Sequence, residues 1–210
     1  MTFTPGQSGG KSSALSLNLS NGRNVIDRAI VRFDEGQQLP KFQLNPNHTK
    51  VYVSVEGQDY AIVSGEEMGE MPVNFKAAEN GHYTLNFTAK DIDFNYLHLI
   101  DNLTGADVDL LADATYNFDA RTTDYTSRFK LVFATSASSE SDSFSFFSNG
   151  VWVINNDGKA TLQVVDVTGR ILKNEQIEGC YSLSFQAAPG VYMFRLINGN
   201  DMKVQKVVVK

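Results

Sequence analysis

Apolar residues recur at every second position in short runs along this chain. Leu15, Leu17 and Leu19 form one set, and Val51, Val53 and Val55 another. Tyr83, Leu85 and Phe87 follow, then Phe129, Leu131 and Phe133. A period of two places each set on one side of an extended strand. Turn signals separate the runs: Asn21-Gly22, Glu35-Gly36, Asn45-Pro46-Asn47, Glu56-Gly57, Asn80-Gly81 and Thr104-Gly105. No segment sustains a 3.6-residue period over three turns. Short strands broken by frequent turns predict an all-β chain built of β-sandwich domains, Ig-like or jelly-roll-like in kind.

The pattern also divides the chain. Residues 1–13 are rich in Gly and Ser and read as a flexible N-terminal segment. Residues 14–134 carry enough strands for one β-sandwich domain. Residues 135–143 (Thr-Ser-Ala-Ser-Ser-Glu-Ser-Asp-Ser) hold no large apolar side chain and read as a Ser-rich linker. Strand-like runs then return at 144–147, 151–154, 161–166, 181–185, 191–198 and 203–209, which predicts a second, small sandwich over 144–210. A domain of that size buries only about 60% of its unfolded surface and is of modest stability.

Composition narrows the function classes. Of 210 residues, 42% are hydrophobic and 20% charged, an ordinary globular balance. The net charge of −6 repels phosphate backbones, so nucleic-acid binding is disfavoured. No run of 18 apolar residues is present to span a membrane as a helix. Cys180 is the single cysteine, so no intrachain disulfide can form, and its strand-like surroundings supply no base to activate it as a nucleophile. The N-terminal residues lack a basic stretch followed by an apolar one and do not read as a signal peptide. An exported protein of this sequence is then expected to be a fragment whose signal lies upstream.

The C-terminal module carries a recognisable pattern. Val165-Asp166-Val167-Thr168-Gly169-Arg170 is followed by Ala188-Pro189-Gly190-Val191-Tyr192-Met193-Phe194-Arg195-Leu196. Asn198-Gly199 comes next, and the sequence closes on Lys203-Val204-Gln205-Lys206-Val207-Val208-Val209-Lys210. From about residue 148 this resembles the C-terminal sorting domain of proteins exported by the type IX secretion system of Bacteroidetes. The resemblance implies a small Ig-like sandwich, recognition by the outer-membrane export machinery, and a secreted or cell-surface location. Carried over by position, the motif residues are Asp166, Gly169, Arg170, Pro189, Gly190, Tyr192, Arg195, Lys203 and Lys206. Family members often open on an Asn-Pro-Asn-Pro-like segment, where this chain has Ser148-Asn149-Gly150-Val151-Trp152-Val153-Ile154-Asn155-Asn156. The residues make physical sense beside the resemblance. Asp166 to Gly169 can form a hairpin turn with Gly169 at positive φ, and Pro189-Gly190 a turn that launches a strand. In that strand Tyr192, Phe194 and Leu196 face one way and Val191, Met193 and Arg195 the other. Lysines on the final strand suit an exposed sheet edge.

Upstream, Leu97–Gly105, Val108–Leu111, Tyr116–Ala120 and Arg128–Phe133 resemble the β-sandwich stretch that often precedes such sorting domains. A structural role suits these residues: Asp101 to Gly105 as a turn, Tyr116 and Phe118 on one core face, and Arg128 paired with Asp101 or Asp124.

Other candidates for chemistry have plainer readings. Gly6-Gln7-Ser8-Gly9-Gly10-Lys11-Ser12 suggests a phosphate loop, but Pro5 stands where its first Gly belongs, and the strand before and helix after are missing. His48, His82 and His98 are scattered, without zinc-ligand spacing. Asp91 and Asp93, Asp107 and Asp109, and the cluster Glu66, Glu67 and Glu70 read as solvated turn acids rather than a calcium site of six to eight oxygens. Asn18, Asn47, Asn86 and Asn102 match the glycosylation acceptor by chance in a bacterial chain. Trp152, flanked by Val151 and Val153, is read first as a packing residue and is also the best single candidate for outward sugar contact. The reading is a non-catalytic C-terminal part of a larger secreted or surface protein, without cofactor or metal. The alternative is an adhesin whose first sandwich binds a glycan or a host protein.

Overall fold

A computed structural model describes residues 12–22, 24–42, 45, 47–136 and 143–210. The Gly/Ser-rich start, the phosphate-loop-like segment and most of the Ser-rich stretch lie outside the described residues. Thr135, taken above as the head of the linker, is the buried last residue of a strand.

The fold is all-β, as expected. In chain order the strands are β1 (Ala14–Ser20), β2 (Val25–Arg32), β3 (Leu39–Pro40), β4 (Lys50–Val55), β5 (Gln58–Ser64), β6 (Met68–Lys76), β7 (Gly81–Lys90), β8 (Phe94–Asp101), β9 (Ala106–Asp109), β10 (Thr115–Ala120) and β11 (Phe129–Thr135). The C-terminal module adds β12 (Ser145–Ser148), β13 (Val151–Ile154), β14 (Lys159–Asp166), β15 (Ile171–Glu178), β16 (Tyr181–Leu183), β17 (Gly190–Asn198) and β18 (Asp201–Val209). Strand β15 was not foreseen, because only Ile177 in it is buried and its alternation is written mostly in polar residues.

The chain forms two compact units. One holds the segment ending at Gly65 together with Asn74–Ile92 and Thr115–Thr126. Its strands run in the order β10-β7-β1-β2-β5-β4, with β3 also paired to β5. All pairs are antiparallel except β2 with β5. Leu15, Leu17 and Leu19 of the central β1 are buried as their period predicts, each contributing about 1.5–3 kcal/mol by leaving water. Phe75 meets Phe118 and Tyr83 edge-on at 5.1 and 5.2 Å, a geometry that places ring edges against π faces. Between β4 and β5, Glu56 (φ 51°) and Gly57 (φ 81°) make the two-residue left-handed turn that matches strand twist.

The other unit holds Glu66–Val73, Asp93–Ala114 and Ser127–Lys210. Here the first part of β6, β11, β8 and β9 form an antiparallel ladder. The C-terminal module belongs to the same unit and is a sandwich of two sheets, β12-β13-β16 and β15-β14-β17-β18. Its core gathers Phe144, Trp152, Ile154, Leu162, Val164, Leu183, Phe194 and Leu196 from both sheets.

Candidate functional site

The motif residues of the C-terminal module fall into three places, with Lys203 apart from them. The first is the β14–β15 turn. Asp166 Oδ1 accepts from the Thr168 hydroxyl (2.6 Å), the Thr168 N–H (2.9 Å) and the Arg170 N–H (3.1 Å), while Oδ2 accepts from Arg170 Nε at 3.0 Å. These donors, the Thr168 hydroxyl foremost, hold the Asp166 carboxyl below its ordinary pKa. Gly169 sits at φ 87°, where a β-carbon would be strained. One carboxylate thus takes the Thr168 and Arg170 donors, while backbone bonds from Gly169 N–H to the Asp166 carbonyl and from Asp166 N–H to the Arg170 carbonyl close the turn.

The second place is the entry to β17. After Pro189, Gly190 starts the strand, and the Tyr192 hydroxyl donates to the Ala188 carbonyl at 2.8 Å. The Tyr192 ring packs on Phe185 at 5.3 Å between centroids. Phe194 and Leu196 point into the core, as their alternation predicts.

The third place is the outer face of the four-stranded sheet. Arg195 lies opposite Gln163 and Val204, and Lys206 opposite Met193. Lys203 has the other parity and lines a pocket of about 240 Å³ with Asn155, Asp157 and Asn198. The nine residues therefore do not converge on one centre. Six shape turns and strand ends, two cations share a sheet face, and one lines a pocket.

Of its two roles, Trp152 takes packing. It does not point outward. It shares its face of β13 with Ile154, is 9% exposed, and meets Phe194 edge-on at 5.0 Å. Only its rim reaches a groove of about 510 Å³, lined also by Phe147 and Phe185. Cys180 is partly buried, and desolvation pushes its thiol up to about 12, which leaves it a poor nucleophile.

Two constellations went unseen in the sequence. Gln205 on β18 reaches across the open side of the sandwich. Its Oε1 accepts from the N–H of Phe144 (2.9 Å) and of Ser145 (2.7 Å), and from the Ser145 hydroxyl (3.0 Å), while its Nε2 donates to the Ser145 carbonyl at 2.7 Å. The other joins the module to β8. Asn95 Nδ2 donates to Asn155 Oδ1 at 2.9 Å and to the Asp157 carboxylate, and Asn95 Oδ1 accepts from the Ser136 hydroxyl at 2.8 Å. Asn155 Nδ2 donates in turn to the Thr135 carbonyl at 3.3 Å. Ser182 hydrogen-bonds the Tyr96 phenol, whose pKa burial raises. Val153 and Ser182 are paired across β13 and β16, and Val153 is fully buried although it lies on the side of β13 away from Trp152. The outer face of β12-β13-β16 is therefore covered by β8.

Elsewhere in this unit, Arg128 pairs with Asp101, with Nη2 to Oδ2 at 2.8 Å and Nε to Oδ1 at 3.1 Å, both side chains 1% exposed. Asp124 instead accepts from the Arg121 N–H. His98 stacks on Tyr96 and meets Asp107 at 2.7 Å; His48 donates to the Ile26 carbonyl; His82 meets Asp119. Among the described residues no group of three or more His, Cys, Asp or Glu side chains is placed to hold a metal ion.

Comparison with known proteins bears on the C-terminal module. Residues 148–210 match the family model of the secretion system C-terminal sorting domain, the type IX kind. The resemblance read from Asp166–Arg170, Ala188–Leu196 and the closing strand is thus shown for that segment, and it marks a secreted protein with a type IX tail. No curated protein matches the chain.

Proposed function

We propose that this chain is the C-terminal part of a larger protein exported by the type IX machinery. Residues 144–210 serve as the sorting module, and the sandwich before it serves as a non-catalytic structural spacer. The observation that carries the reading is the sorting-domain match over residues 148–210. The side chains support a spacer role for the preceding strands. The ion pair of Asp101 with Arg128 is buried and internally satisfied, and the histidines are engaged with local partners rather than with one another. Each member of such a pair is occupied by the other and is costly to separate from it; a reaction centre needs groups converging on a shared space. Attachment at the cell surface, rather than free release, belongs to the same proposal.

The test is export of a reporter. A signal-bearing reporter joined to the whole 210-residue chain is expected outside the outer membrane in a type IX-competent host. It is expected in the periplasm of the same host lacking a working type IX apparatus. Periplasmic retention in both strains would sink the proposal.

A further inference from the structure

The outer face of the β15-β14-β17-β18 sheet differs across its width. On the β15–β14 half, polar pairs hold the middle, where Gln176 Nε2 donates to Thr161 Oγ1 at 2.7 Å and Gln163 Nε2 to Asn174 Oδ1 at 3.3 Å, and exposed Ile171 lies beside Val165 at the turn end. On the β17–β18 half the register sets Ile197 beside Met202, Arg195 beside Val204, Met193 beside Lys206 and Val191 beside Val208. Met202 is 58% exposed, Val208 56% and Val204 42%. Three exposed apolar side chains thus line the edge strand β18 on one face, a cluster rather than scattered single hydrophobics.

Its charge is one-sided. Arg195 and Lys206 stand diagonally on neighbouring strands, and among the described residues neither makes a hydrogen bond or ion pair. No carboxylate occupies any of those eight positions, although the chain as a whole carries −6. Two neighbouring cations without a counter-ion repel each other and add nothing to the sheet, so the arrangement has no use within the fold. The opposite face of the sandwich is already taken by β8 through Asn95, Tyr96, Asn155 and Ser182.

We infer that the β17–β18 half of this face is the docking surface of the sorting module, and that it fits a protein surface bearing carboxylates set among apolar side chains. Acidic groups would meet Arg195 and Lys206, and apolar ones would cover Met202, Val204 and Val208. Such a pairing combines steering by charge with burial of apolar area. The inference rests on the sorting reading and adds which surface is read and by what chemistry.

The experiment uses the whole chain joined to a signal-bearing reporter in a type IX-competent host. Arg195→Glu/Lys206→Glu is compared with the charge-matched control Lys76→Glu/Lys90→Glu, and melting temperatures of the purified chains show that each folds. The expected result is a fall of about tenfold or more in external reporter for the first pair, equivalent to about 1.4 kcal/mol of lost docking. Wild type and control stay exported, and Arg195→Lys/Lys206→Arg restores export. Undiminished export of the folded Arg195→Glu/Lys206→Glu chain overturns the inference and leaves the sorting reading intact. Failure of wild type to be exported overturns both. Vesicles of phosphatidylglycerol are the second arm. If the purified wild-type chain sediments with them and the Arg195→Glu/Lys206→Glu chain does not, the face reads a lipid surface and the inference of a protein partner is wrong.

Discussion

The side-chain amide of Gln205 grips the backbone of Ser145 from both sides, accepting from its N–H at 2.7 Å and donating to its carbonyl at 2.7 Å. A strand neighbour would offer the same donor and acceptor. One side chain thus closes the gap between the edge strands β12 and β18, and it also satisfies the Phe144 N–H.

Gln205→Ala removes the partner of two backbone donors and one carbonyl in a partly buried place. The expected loss is about 1–3 kcal/mol, read as a lower melting temperature of the purified chain. Gln205→Glu tests the donor separately. It keeps the acceptor but sets a carboxylate oxygen against the Ser145 carbonyl, and should also melt lower than wild type. A melting temperature unchanged in both variants would contradict the account.

Asp101 and Arg128 form a buried pair whose halves depend on each other. Removing one charge strands the other away from water. Asp101→Leu and Arg128→Met are each expected to cost about 3–5 kcal/mol, and the double variant less than either single one. Urea denaturation of the four proteins measures this. Additive losses in the double variant would show that the two groups act independently.

The period-two runs made the all-β class legible, and the motif residues made the sorting tail legible. What escaped has a common physical cause. Trp152, Val153 and Ile154 are all buried, because β13 has a core on one side and β8 on the other. Alternation cannot assign a face where both faces are dry. Asn155 and Asn156, polar residues with no sequence signal for burial, are 1% and 3% exposed, since partners distant in sequence satisfy Asn155 through Asn95 and Asn156 through Asn198. Gln205 hid between two lysine-bearing positions of an edge strand. Such contacts are made by tertiary placement, and local composition does not encode them. Glu56-Gly57, by contrast, was readable because its left-handed turn is set by its own two residues.

The β14–β15 turn should be sensitive to acid. The folded-state pKa of Asp166 lies below its ordinary value of 3.8, so its contribution is present above that value and is lost as pH falls through the lower folded one. The amide resonances of Thr168 and Arg170 are expected to hold steady from pH 7 to about 4 and to shift below it. In Asp166→Asn that low-pH step should vanish. A transition of the Asp166 carboxyl centred above 3.8 would contradict the hydrogen-bond pattern.

Cys180 should be inert in the native chain. With its thiol pushed up to about 12, about one molecule in ten thousand carries the thiolate at pH 8. Iodoacetamide should label it slowly in buffer and quickly in urea. Equal rates in both would show an accessible, ordinary thiol.

The Asn95 junction bears on where this chain can be cut. The Ser-rich stretch invites a boundary, and a fragment starting at Ser143 would keep every strand of the tail. It would also strip the cover from Val153 and Ser182, and leave Asn155 and Asp157 without the amide that holds them. Tail and forerunner share a seam rather than a tether, so whatever pulls on one loads the other.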